Sequence, residues 1–320
     1  MKISRRQFVK AMAAMSAASM LAACGGNSGS GSSGGKKALT FQIWDVAQKE
    51  GMEAMCAAYT QQHPDVSIEV QVTSWNEYWT KLEAAATSNQ MPDIFWMHTN
   101  ELLKYADNGM LADCTDIVEK DKFSEISLSN AMGSNGTLYA VPKDKDTVGL
   151  VYNKEMFDAA GVAYPDENWT WDDLVSASEK IYAATGKYGY MAYADDQLGY
   201  WNFVYQAGGY ILNEDKTKAG FTQPATEKAM KFYIGLQQND WCPDQTYFAE
   251  TAPGTAFFSE KGAMFLEGDW NILAELQNYP EMVGKWDVAV LQVPRPGKRR
   301  RPCLPSPTVC ATRLLPATRI

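Results

Sequence analysis

Two stretches of alternating apolar and polar residues near the start of the chain, with a helical stretch between them, constrain the fold most. Apolar residues alternate with other residues over 39–43 and again over 66–72, which is the period of a half-buried β-strand. Residues 48–62 between them predict an amphipathic helix. Its predicted apolar stripe consists of Met52, Met55, Cys56 and Tyr59. A strand, a helix and a second strand in this order predict a β-α-β unit, and therefore a parallel sheet.

The same alternation continues further along the chain. Ser74 and Glu77 have the spacing of a capping box, so they predict the start of a second helix. Residues 93–97 predict a third, apolar strand, and Thr99 or Asn100 is expected to cap the helix after it. The pattern predicts the α/β fold class.

A short charged run separates two predicted strands in the middle of the chain. The first strand ends at Pro142, whose missing amide hydrogen suits a strand exit, and the second covers Val148 to Tyr152. The run between them, Lys143 to Asp146, is what a chain would show on leaving one lobe and entering another. In that interpretation Asp146 lies at the mouth of a cleft between the lobes, where ligands commonly bind. The alternative is an ordinary surface loop between two strands of one domain.

The second half of the chain predicts further helices and strands. A capping pattern at 170–173 starts a helix, and the later elements are expected at 188–193, 200–207, 225–238, 256–260, 263–266 and 286–293. Open α/β sheets bind ligands at the carboxyl ends of their strands. Trp44, the loop after Met97, Asp146 and Trp270 all fall at sheet edges of this kind, so we expect them to converge on one cleft.

Length and composition favour two lobes and limit the classes of partner. A chain of 320 residues exceeds what one core usually serves, and 46% of the residues are hydrophobic. The net charge is −9 and basic residues are concentrated at both ends, so the body of the chain is acidic. An acidic body argues against nucleic acid or an anionic membrane surface as a partner. The ten Trp and sixteen Tyr residues suit a ligand with flat apolar faces, although core packing is expected for most of them.

The first 37 residues have the pattern of an export and anchoring segment. Residues 4–10 (SRRQFVK) match the twin-arginine export signal, and the apolar run that follows is too short to span a membrane. Residues 21–24 (LAAC) resemble a bacterial lipobox, which predicts a signal peptide over 1–23 and a lipid on Cys24. Residues 24–37 are rich in Gly and Ser and predict a flexible tether. We therefore expect an exported protein, lipid-anchored to the outer face of the cytoplasmic membrane. The alternative is an unmodified signal peptide in which the Cys is incidental.

The last part of the chain has an unusual composition. Residues 294–320 contain six Pro, six Arg and no acidic residue, without a period of 2 or 3.6. We expect no folded unit there, and we interpret the segment as a disordered tail translated out of frame after about Val293. The alternative is a genuine basic tail.

The sequence offers no support for a metal centre, a cofactor or a catalytic apparatus. The chain has six Cys and two His, with no C-x-x-C spacing, no nucleophile elbow and no His-based dyad. We therefore expect no metal, no cofactor and no enzymatic activity. The rival class is an exported carbohydrate-active enzyme, which would need two carboxylates facing each other across a scissile bond.

Several motifs, taken in order, resemble one family. They are the twin-arginine signal, the lipobox, and the segments 91–97 (MPDIFWM), 105–111 (YADNGML), 141–162 (VPKDKDTVGLVYNKEMFDAAGV), 169–174 (WTWDDL) and 265–271 (FLEGDWN). Over residues 36 to about 293 the chain resembles the extracellular solute-binding lipoproteins (family 1, sugar-binding) of bacterial ABC importers. The resemblance implies a two-lobed periplasmic-binding-protein architecture of type II. It implies lobe 1 over 38–143, a hinge crossover over 144–149 and lobe 2 over 150–293.

The resemblance also implies a function. It implies capture of a mono- or oligosaccharide outside the membrane and delivery to the permease subunits of an ABC transporter, by a protein that is a monomer. In the family the chain continues, recrosses to lobe 1 and ends with helices on lobe 2. We therefore expect an architecture incomplete at the C-terminus, with a strand and helices missing from lobe 1 and the closing helices missing from lobe 2. The alternative function is binding of a non-sugar solute such as a polyamine, a peptide or an organic phosphate.

The resemblance finally implies contacts with the ligand. The expected ligand-binding residues are Trp44, Asp45, Trp96, His98, Asn100, Asp146, Tyr200, Trp201 and Trp270. Asp146 would accept hydrogen bonds from sugar hydroxyls, and Trp270, in a loop, would stack on a sugar face. The alternatives are structural: a solvated hinge charge for Asp146, a helix cap for Asn100 and core packing for the tryptophans. Core packing at helix starts is the expectation for Trp75, Trp79, Trp169 and Trp171.

Overall fold

The computed structural model describes residues 36–213 and 217–290, together with the backbone of residues 308–312. These residues form two α/β lobes, each built on its own sheet, as the sequence predicted. The predicted signal peptide, Cys24 and the tether up to residue 35 lie outside the described residues, as does the rest of the tail. Within the described part of the chain, no helix is long and apolar enough to cross a membrane.

The first lobe contains a five-stranded sheet in the order β2-β1-β3-β9-β4. Its strands are β1 (Lys37–Ile43), β2 (Val66–Val72), β3 (Ile94–His98), β4 (Ala140–Pro142) and β9 (Thr308–Thr312). Strand β1 pairs in parallel with both β2 and β3, which confirms the β-α-β unit predicted from the alternation of apolar residues. Because β1 already begins at Lys37, the last residue of the predicted tether belongs to the sheet.

The described residues of the first lobe form four α-helices: α1 (Lys49–Gln62), α2 (Trp75–Thr87), α3 (Thr99–Ala106) and α4 (Glu125–Asn130). The stripe predicted for α1 was too wide. Cys56 is buried and Met52 packs beside it, whereas Met55 and Tyr59 are exposed. Among these four residues, only Met52 and Cys56 therefore belong to the packed face of α1. Ser74 does stand at the N-cap of α2, but its side chain makes no capping hydrogen bond.

Strand β9 differs from the expectation for the tail. We expected no regular structure over 294–320, yet residues 308–312 pair antiparallel with β3 on one side and with β4 on the other. Residues 308–312 read Thr-Val-Cys-Ala-Thr, a short run rich in β-branched residues within a segment otherwise dominated by Pro and Arg. A strand in this position satisfies the facing backbone edges of β3 and β4, which would otherwise stay unpaired. A short strand is therefore present within the segment for which we expected no folded unit.

The second lobe contains a four-stranded mixed sheet in the order β6-β7-β5-β8. Its strands are β5 (Val148–Asn153), β6 (Tyr188–Tyr190), β7 (Gly262–Gly268) and β8 (Trp286–Ala289). Strand β5 pairs antiparallel with both β7 and β8, and β6 pairs in parallel with β7. The strand predicted over 188–193 is shorter than expected, because β6 ends at Tyr190. Residues 291–293 of the predicted last strand lie outside the described residues.

In the described part of the second lobe there are seven α-helices. They are α5 (Lys154–Ala160), α6 (Trp171–Thr185), α7 (Trp201–Gln206), α8 (Pro224–Leu236), α9 (Gln245–Glu250), α10 (Pro253–Phe258) and α11 (Asp269–Asn278). The capping box predicted for α6 is confirmed, because Thr170 and Asp173 cap each other's backbone amides. Helix α11 was not predicted, since its start was interpreted as a loop. Trp171 is buried against Phe232, at 4.4 Å between ring centroids, which confirms its expected packing role.

The segment between β4 and β5 joins the two lobes. Residues 143–147 have no regular structure and lead directly from one sheet into the other, as the charged run predicted. The carboxylate of Asp269, at the start of α11, accepts hydrogen bonds from the amide and the hydroxyl of Thr147, both at 3.2 Å. The amide of Asp269 in turn donates to the carbonyl of Thr147 at 3.0 Å. The crossover is thus fastened to the second lobe at its last residue.

Helix α6 approaches β6 most closely at Gly189. A β-carbon added at Gly189 would lie 2.2 Å from Cα of Ser178, so Gly189→Ala forces helix and strand apart. We expect a loss of about 2 kcal/mol or more in the free energy of unfolding, the usual scale of overpacking. Gly235→Ala is the matched control, because nothing lies within 4 Å of its added β-carbon in α8. That variant should gain about 0.5 kcal/mol or more from helix propensity. Urea unfolding measures both, and equal stabilities for the two variants would contradict the packing.

Candidate functional site

A cleft of about 430 Å³ lies between the two lobes. Its volume falls within the range typical of small-molecule sites. Its walls come from three places: the carboxyl ends of β1, β2 and β3, the crossover, and the carboxyl ends of β6 and β7. This is the edge at which open α/β sheets bind ligands, and the alternation of strands and helices predicted it.

The wall on the first lobe is aromatic. Trp44, Trp75 and Trp96 line the cleft, and the ring centroid of Trp44 lies 5.2 Å from that of Trp75 and 5.1 Å from that of Trp96. Both pairs are edge-to-face, a favourable arrangement of aromatic rings. Trp75 was expected to pack at a helix start, but its side chain is 43% exposed and contributes to the cleft. It follows the carboxyl end of β2, so the signal that identified Trp44 after β1 could have found it as well.

Trp96 is the most enclosed member of this wall. Its side chain is only 1% exposed, and its indole Nε1 has no hydrogen-bond partner among the described residues. The ammonium group of Lys143 lies 4.3 Å from the ring centroid of Trp96, in a cation–π contact. Lys143 also pairs with the carboxylate of Asp144, so a cation already occupies one aromatic surface next to a carboxylate.

His98 closes the end of β3. It is 6% exposed, and burial lowers the pKa of its imidazole to about 4 despite the nearby carboxylate of Asp144. Its Nδ1 accepts a hydrogen bond from the amide of Asn100 at 3.3 Å, so His98 caps α3 in place of the predicted Thr99 or Asn100. His98 lines the cleft as a neutral residue, whereas the side chain of Asn100 is exposed and does not line it.

The crossover forms the floor of the cleft. Asp144 and Asp146 both line it, together with Lys143. Partial burial, assisted by the charges of Asp144 and Asp269, raises the pKa of Asp146 to about 7. Asp146 makes no hydrogen bond or ion pair with any described residue, so its carboxyl group stays available to a ligand. Asp45, at the end of β1, also lines the cleft and accepts hydrogen bonds from the Ala47 amide and the Gln48 side chain.

The wall on the second lobe begins at α11. Trp270 and Asn271 line the cleft from the first turn of this helix, so Trp270 belongs to a helix and not to a loop. A β-carbon at Gly268 would lie 2.3 Å from the indole ring of Trp270, which shows how closely the ring covers the glycine. A hydrogen bond fixes the side chain of Asn271, because its amide donates to Oε1 of Glu267 at 2.9 Å. Glu267 is 5% exposed, and burial raises its pKa to about 7.

An acidic turn completes this wall, and sequence reasoning missed it. Residues 195–198 line the cleft at the start of a π-helical turn, Asp196–Tyr200. Asp195 accepts a hydrogen bond from the amide of Leu198 at 2.7 Å, and Asp196 accepts one from the amide of Gln197 at 2.6 Å. The sequence of this turn has no helical or strand periodicity. Two acidic residues that closely follow a predicted strand could nevertheless have identified it as part of the cleft.

Tyr200 and Trp201 do not line the cleft. Tyr200 packs against the hydrophobic core of the second lobe, and Trp201 begins α7 behind the acidic turn. The predicted helix over 200–207 did not include the preceding π-helical turn, which occupies the cleft position that we had assigned to these aromatics. Of the nine expected ligand contacts, the structure brings six to the cleft: Trp44, Asp45, Trp96, His98, Asp146 and Trp270.

The described residues contain no group of three or more His, Cys, Asp and Glu side chains that could hold a metal ion. A second, smaller cavity of about 250 Å³ lies within the first lobe, between the sheet and α2, and is lined by residues such as Gln42, Thr73 and Lys81. It is separate from the aromatic and acidic groups of the cleft. We therefore take the cleft between the lobes as the candidate site.

Comparison with known proteins identifies related chains. A family model described as bacterial extracellular solute-binding protein matches residues 44–310, which extends beyond the point near Val293 where we expected the resemblance to end. A lactose-binding protein of Rhizobium radiobacter is 26% identical over 265 residues, which cover 79% of this chain and 61% of the relative. A diacetylchitobiose binding protein of Streptomyces coelicolor is 25% identical over 307 residues, which cover 90% of this chain and 69% of the relative.

Solved structures show the same architecture. An ABC substrate-binding protein from Listeria monocytogenes in complex with cycloalternan matches with a TM-score of 0.76 and 25% identity, over 89% of this chain and 72% of that one. The GacH receptor of Streptomyces glaucescens matches with a TM-score of 0.74 and 22% identity, over 89% of this chain and 73% of that one. The chain spans about half to two thirds of the length of the curated relatives it matches.

The burial of Glu267 predicts a pH-dependent stability. Its pKa is raised to about 7 from 4.5, so its contribution to stability is fully present below the unfolded pKa and is lost as the pH rises through about 7. Glu267→Gln keeps an oxygen that can accept from Gly268 and Asn271 but carries no charge. We expect the variant to gain about 2–3 kcal/mol relative to the parent between about pH 5 and pH 8.

Urea unfolding at both pH values measures this gain. Glu250→Gln, an exposed position on the same lobe, is the control and should show no such change between the two pH values. If the free energies of unfolding of Glu267→Gln and the parent differ by the same amount at both pH values, burial does not raise the pKa of the Glu267 carboxyl group.

Proposed function

This chain belongs to the bacterial extracellular solute-binding proteins, and from that premise we propose that it binds a sugar or an oligosaccharide in the cleft between its lobes. One observation carries the proposal: tryptophans and carboxylates from both lobes converge on the same cleft. Sugar rings have apolar faces of C–H bonds and edges of hydroxyl groups. Indole rings supply flat surface for the faces, and carboxylates and amides bind the hydroxyls.

Three residues of the cleft carry groups suited to contacts with a sugar. Trp270 offers an indole face on the second lobe, and Asp146 offers a carboxyl group without a protein partner. Trp96 offers a buried indole N–H with no acceptor among the described residues. A hydroxylated ligand would satisfy the last two groups, whose burial is otherwise unfavourable.

The named ligands of the relatives point to the same class of solute. They include a lactose-binding, a maltotriose-binding and a diacetylchitobiose binding protein, and a solved relative is in complex with cycloalternan. All of these relatives are named as binding proteins, which favours binding without chemistry over the rival enzyme.

The mechanism we propose is closure of the two lobes on the ligand. A ligand that contacts both walls binds the closed arrangement better than the open one, so it shifts the population toward closure. Residues 143–147 form one connection, among the described residues, about which the lobes would move. The protein, which we propose is a monomer, would then deliver the ligand in its closed form to the permease subunits of an ABC transporter. A lipid on Cys24 would hold the protein at the outer face of the cytoplasmic membrane.

Isothermal titration calorimetry with the full chain tests the proposed class of ligand. The panel contains lactose, maltotriose and diacetylchitobiose, with spermidine and a short peptide as representatives of non-sugar solutes. We expect saturable binding of at least one saccharide. Binding of spermidine or the peptide with no saccharide bound would replace the proposal by the non-sugar alternative.

Substitution of Trp270 tests the site. Trp270→Ala removes the indole face on the second lobe, and we expect the affinity for the saccharide to fall roughly tenfold or more. Trp169→Ala is the matched control, because Trp169 is also a half-buried indole of the second lobe but packs beside Phe157 outside the cleft. Calorimetry on both variants measures the effect. Equal losses of affinity would place the ligand elsewhere.

Labelling with a radioactive fatty acid tests the anchor. Cells that express the full chain should incorporate label into the protein, and Cys24→Ser should abolish the incorporation because the thiol is the proposed site of acylation. The control is Cys242→Ser, which removes a buried thiol of the second lobe. Label retained in the Cys24→Ser variant would contradict an anchor at this residue.

A further inference from the structure

The cleft has a strongly unbalanced charge. Its lining includes five carboxyl groups, from Asp45, Asp144, Asp146, Asp195 and Asp196, and one ammonium group, from Lys143. His98 adds no positive charge, because burial lowers the pKa of its imidazole to about 4. Even when Lys143 is counted against Asp144, the cleft keeps an excess of acidic groups on both lobes. Binding of a neutral sugar needs acceptors for its hydroxyls but does not need this excess of charge.

Protein contacts account for some of these carboxylates and not for others. Asp45 is engaged by Ala47 and Gln48, and Asp144 is paired with Lys143. Asp195 and Asp196 accept only backbone amide hydrogens of their own turn in the hydrogen bonds described above, and no cation of the described residues pairs with them. Asp146 has neither a hydrogen bond nor an ion pair with a described residue. Asp195 and Asp196 therefore face the cleft without a compensating cation among the described residues, and Asp146 has only the charge of Lys143, which already pairs with Asp144.

The cleft also shows how it would accommodate a cation. The ammonium of Lys143 lies over the ring of Trp96 and beside the carboxylate of Asp144. An aromatic face next to a carboxylate is a favourable environment for an ammonium group. On the opposite wall, Trp270 and the turn that carries Asp195 and Asp196 provide the same two elements, an indole and carboxylates, but no cation.

A second observation, independent of charge, indicates that a ligand completes this site. Trp96 is 1% exposed and lines the cleft, and its indole N–H lacks an acceptor among the described residues. An N–H donor calls for an oxygen or nitrogen acceptor, which a bare metal cation does not have. Moreover, no described group of side chains fits a metal ion. The missing ligand therefore combines an acceptor, such as a hydroxyl, with a positive charge.

We propose that the cleft selects an amino sugar, a carbohydrate with a free ammonium group, over its neutral counterpart, and that Asp196 and its neighbour Asp195 are the residues that select it. This inference rests on the proposed function, since it specifies the class of carbohydrate. The indoles bind the ring faces, Asp146 and Trp96 bind hydroxyls, and the acidic turn of the second lobe receives the ammonium group. Hydrogen bonds between an ammonium group and a carboxylate are roughly twice as strong as those between neutral groups, and the attraction is stronger in a partly buried site than in water.

Calorimetry on the full chain with a matched pair of ligands tests the inference. Chitobiose carries free amino groups, whereas N,N′-diacetylchitobiose has the same skeleton and is neutral. At about pH 6.5 the amino groups are mainly protonated, since amines of this kind titrate near roughly pH 8. We expect chitobiose to bind at least about tenfold more tightly, equivalent to about 1.4 kcal/mol. Raising the salt concentration should weaken the binding of chitobiose and leave that of the neutral disaccharide nearly unchanged.

Variants locate the selectivity. Asp196→Asn keeps an oxygen that can accept from Gln197 but removes the charge, and it should reduce the preference for chitobiose to about threefold or less. Asp240→Asn is the matched control: the same substitution on the same lobe, at an exposed residue outside the cleft. It should leave both affinities unchanged. Equal behaviour of the two variants would overturn the role assigned to the acidic turn.

The outcomes separate the inference from the proposed function. If diacetylchitobiose or another neutral saccharide binds as tightly as chitobiose, without dependence on salt, the inference is wrong and the proposed function stands. If no saccharide binds, charged or neutral, both are wrong. If spermidine binds as tightly as chitobiose, positive charge alone determines the preference and the inference is wrong, whereas the proposed function stands because a saccharide still binds.

Discussion

The antiparallel pairing of β5 with β7 determines where the ligand-facing residues of the second lobe lie. Val148, the first residue of β5, is opposite Gly268, the last residue of β7. The carboxyl end of β7 therefore lies next to the end of the crossover, and Trp270 must share a groove with Asp146. The bonds between Thr147 and Asp269 fasten the same junction. A shift of one residue in this register would turn the side chains of β7 to the opposite faces of the sheet and separate the two halves of the site.

The site that results is unfavourable for the isolated protein. Burial raises the pKa values of Asp146 and Glu267 to about 7, so neither carboxyl group is well accommodated as an anion. The indole N–H of Trp96 is buried without an acceptor among the described residues. Such groups persist because the surrounding cores stabilise the fold independently of them. A ligand that provides partners for Asp146 and Trp96 removes the cost of burying these two groups, which is a form of preorganisation, whereas Glu267 does not line the cleft and keeps its own cost.

Much of the fold and about half of the site could be predicted from the sequence, for physical reasons that differ by element. The first two strands of the first lobe could be predicted from alternating apolar residues, because one face of each strand is buried. Residues just after a predicted strand, such as Trp44, could then be placed at the edge of the sheet. The acidic turn at Asp195 has neither period nor cap signature, so only its position after a strand could have revealed it. The helical segment that begins at Tyr200 was recognised, but the π-helical turn before it displaced its aromatics from the cleft. Strand β9 was missed because pairing with β3 and β4, a tertiary contact, decides its conformation in a segment rich in Pro and Arg.

The two walls of the cleft carry different chemical groups, and this difference affects how the cleft would discriminate among ligands. The first lobe supplies three indoles, a surface that any sugar ring can contact regardless of its charge. The acidic turn belongs to the second lobe, so a ligand meets it fully only when the lobes approach each other. Initial contact with the first lobe would therefore be unselective, and the charge of the ligand would act on the closure equilibrium. Since a ligand shifts that equilibrium only by its difference in affinity for the two arrangements, a neutral sugar, which gains Trp270 but no charge partner on closure, would shift it less than a sugar with an ammonium group.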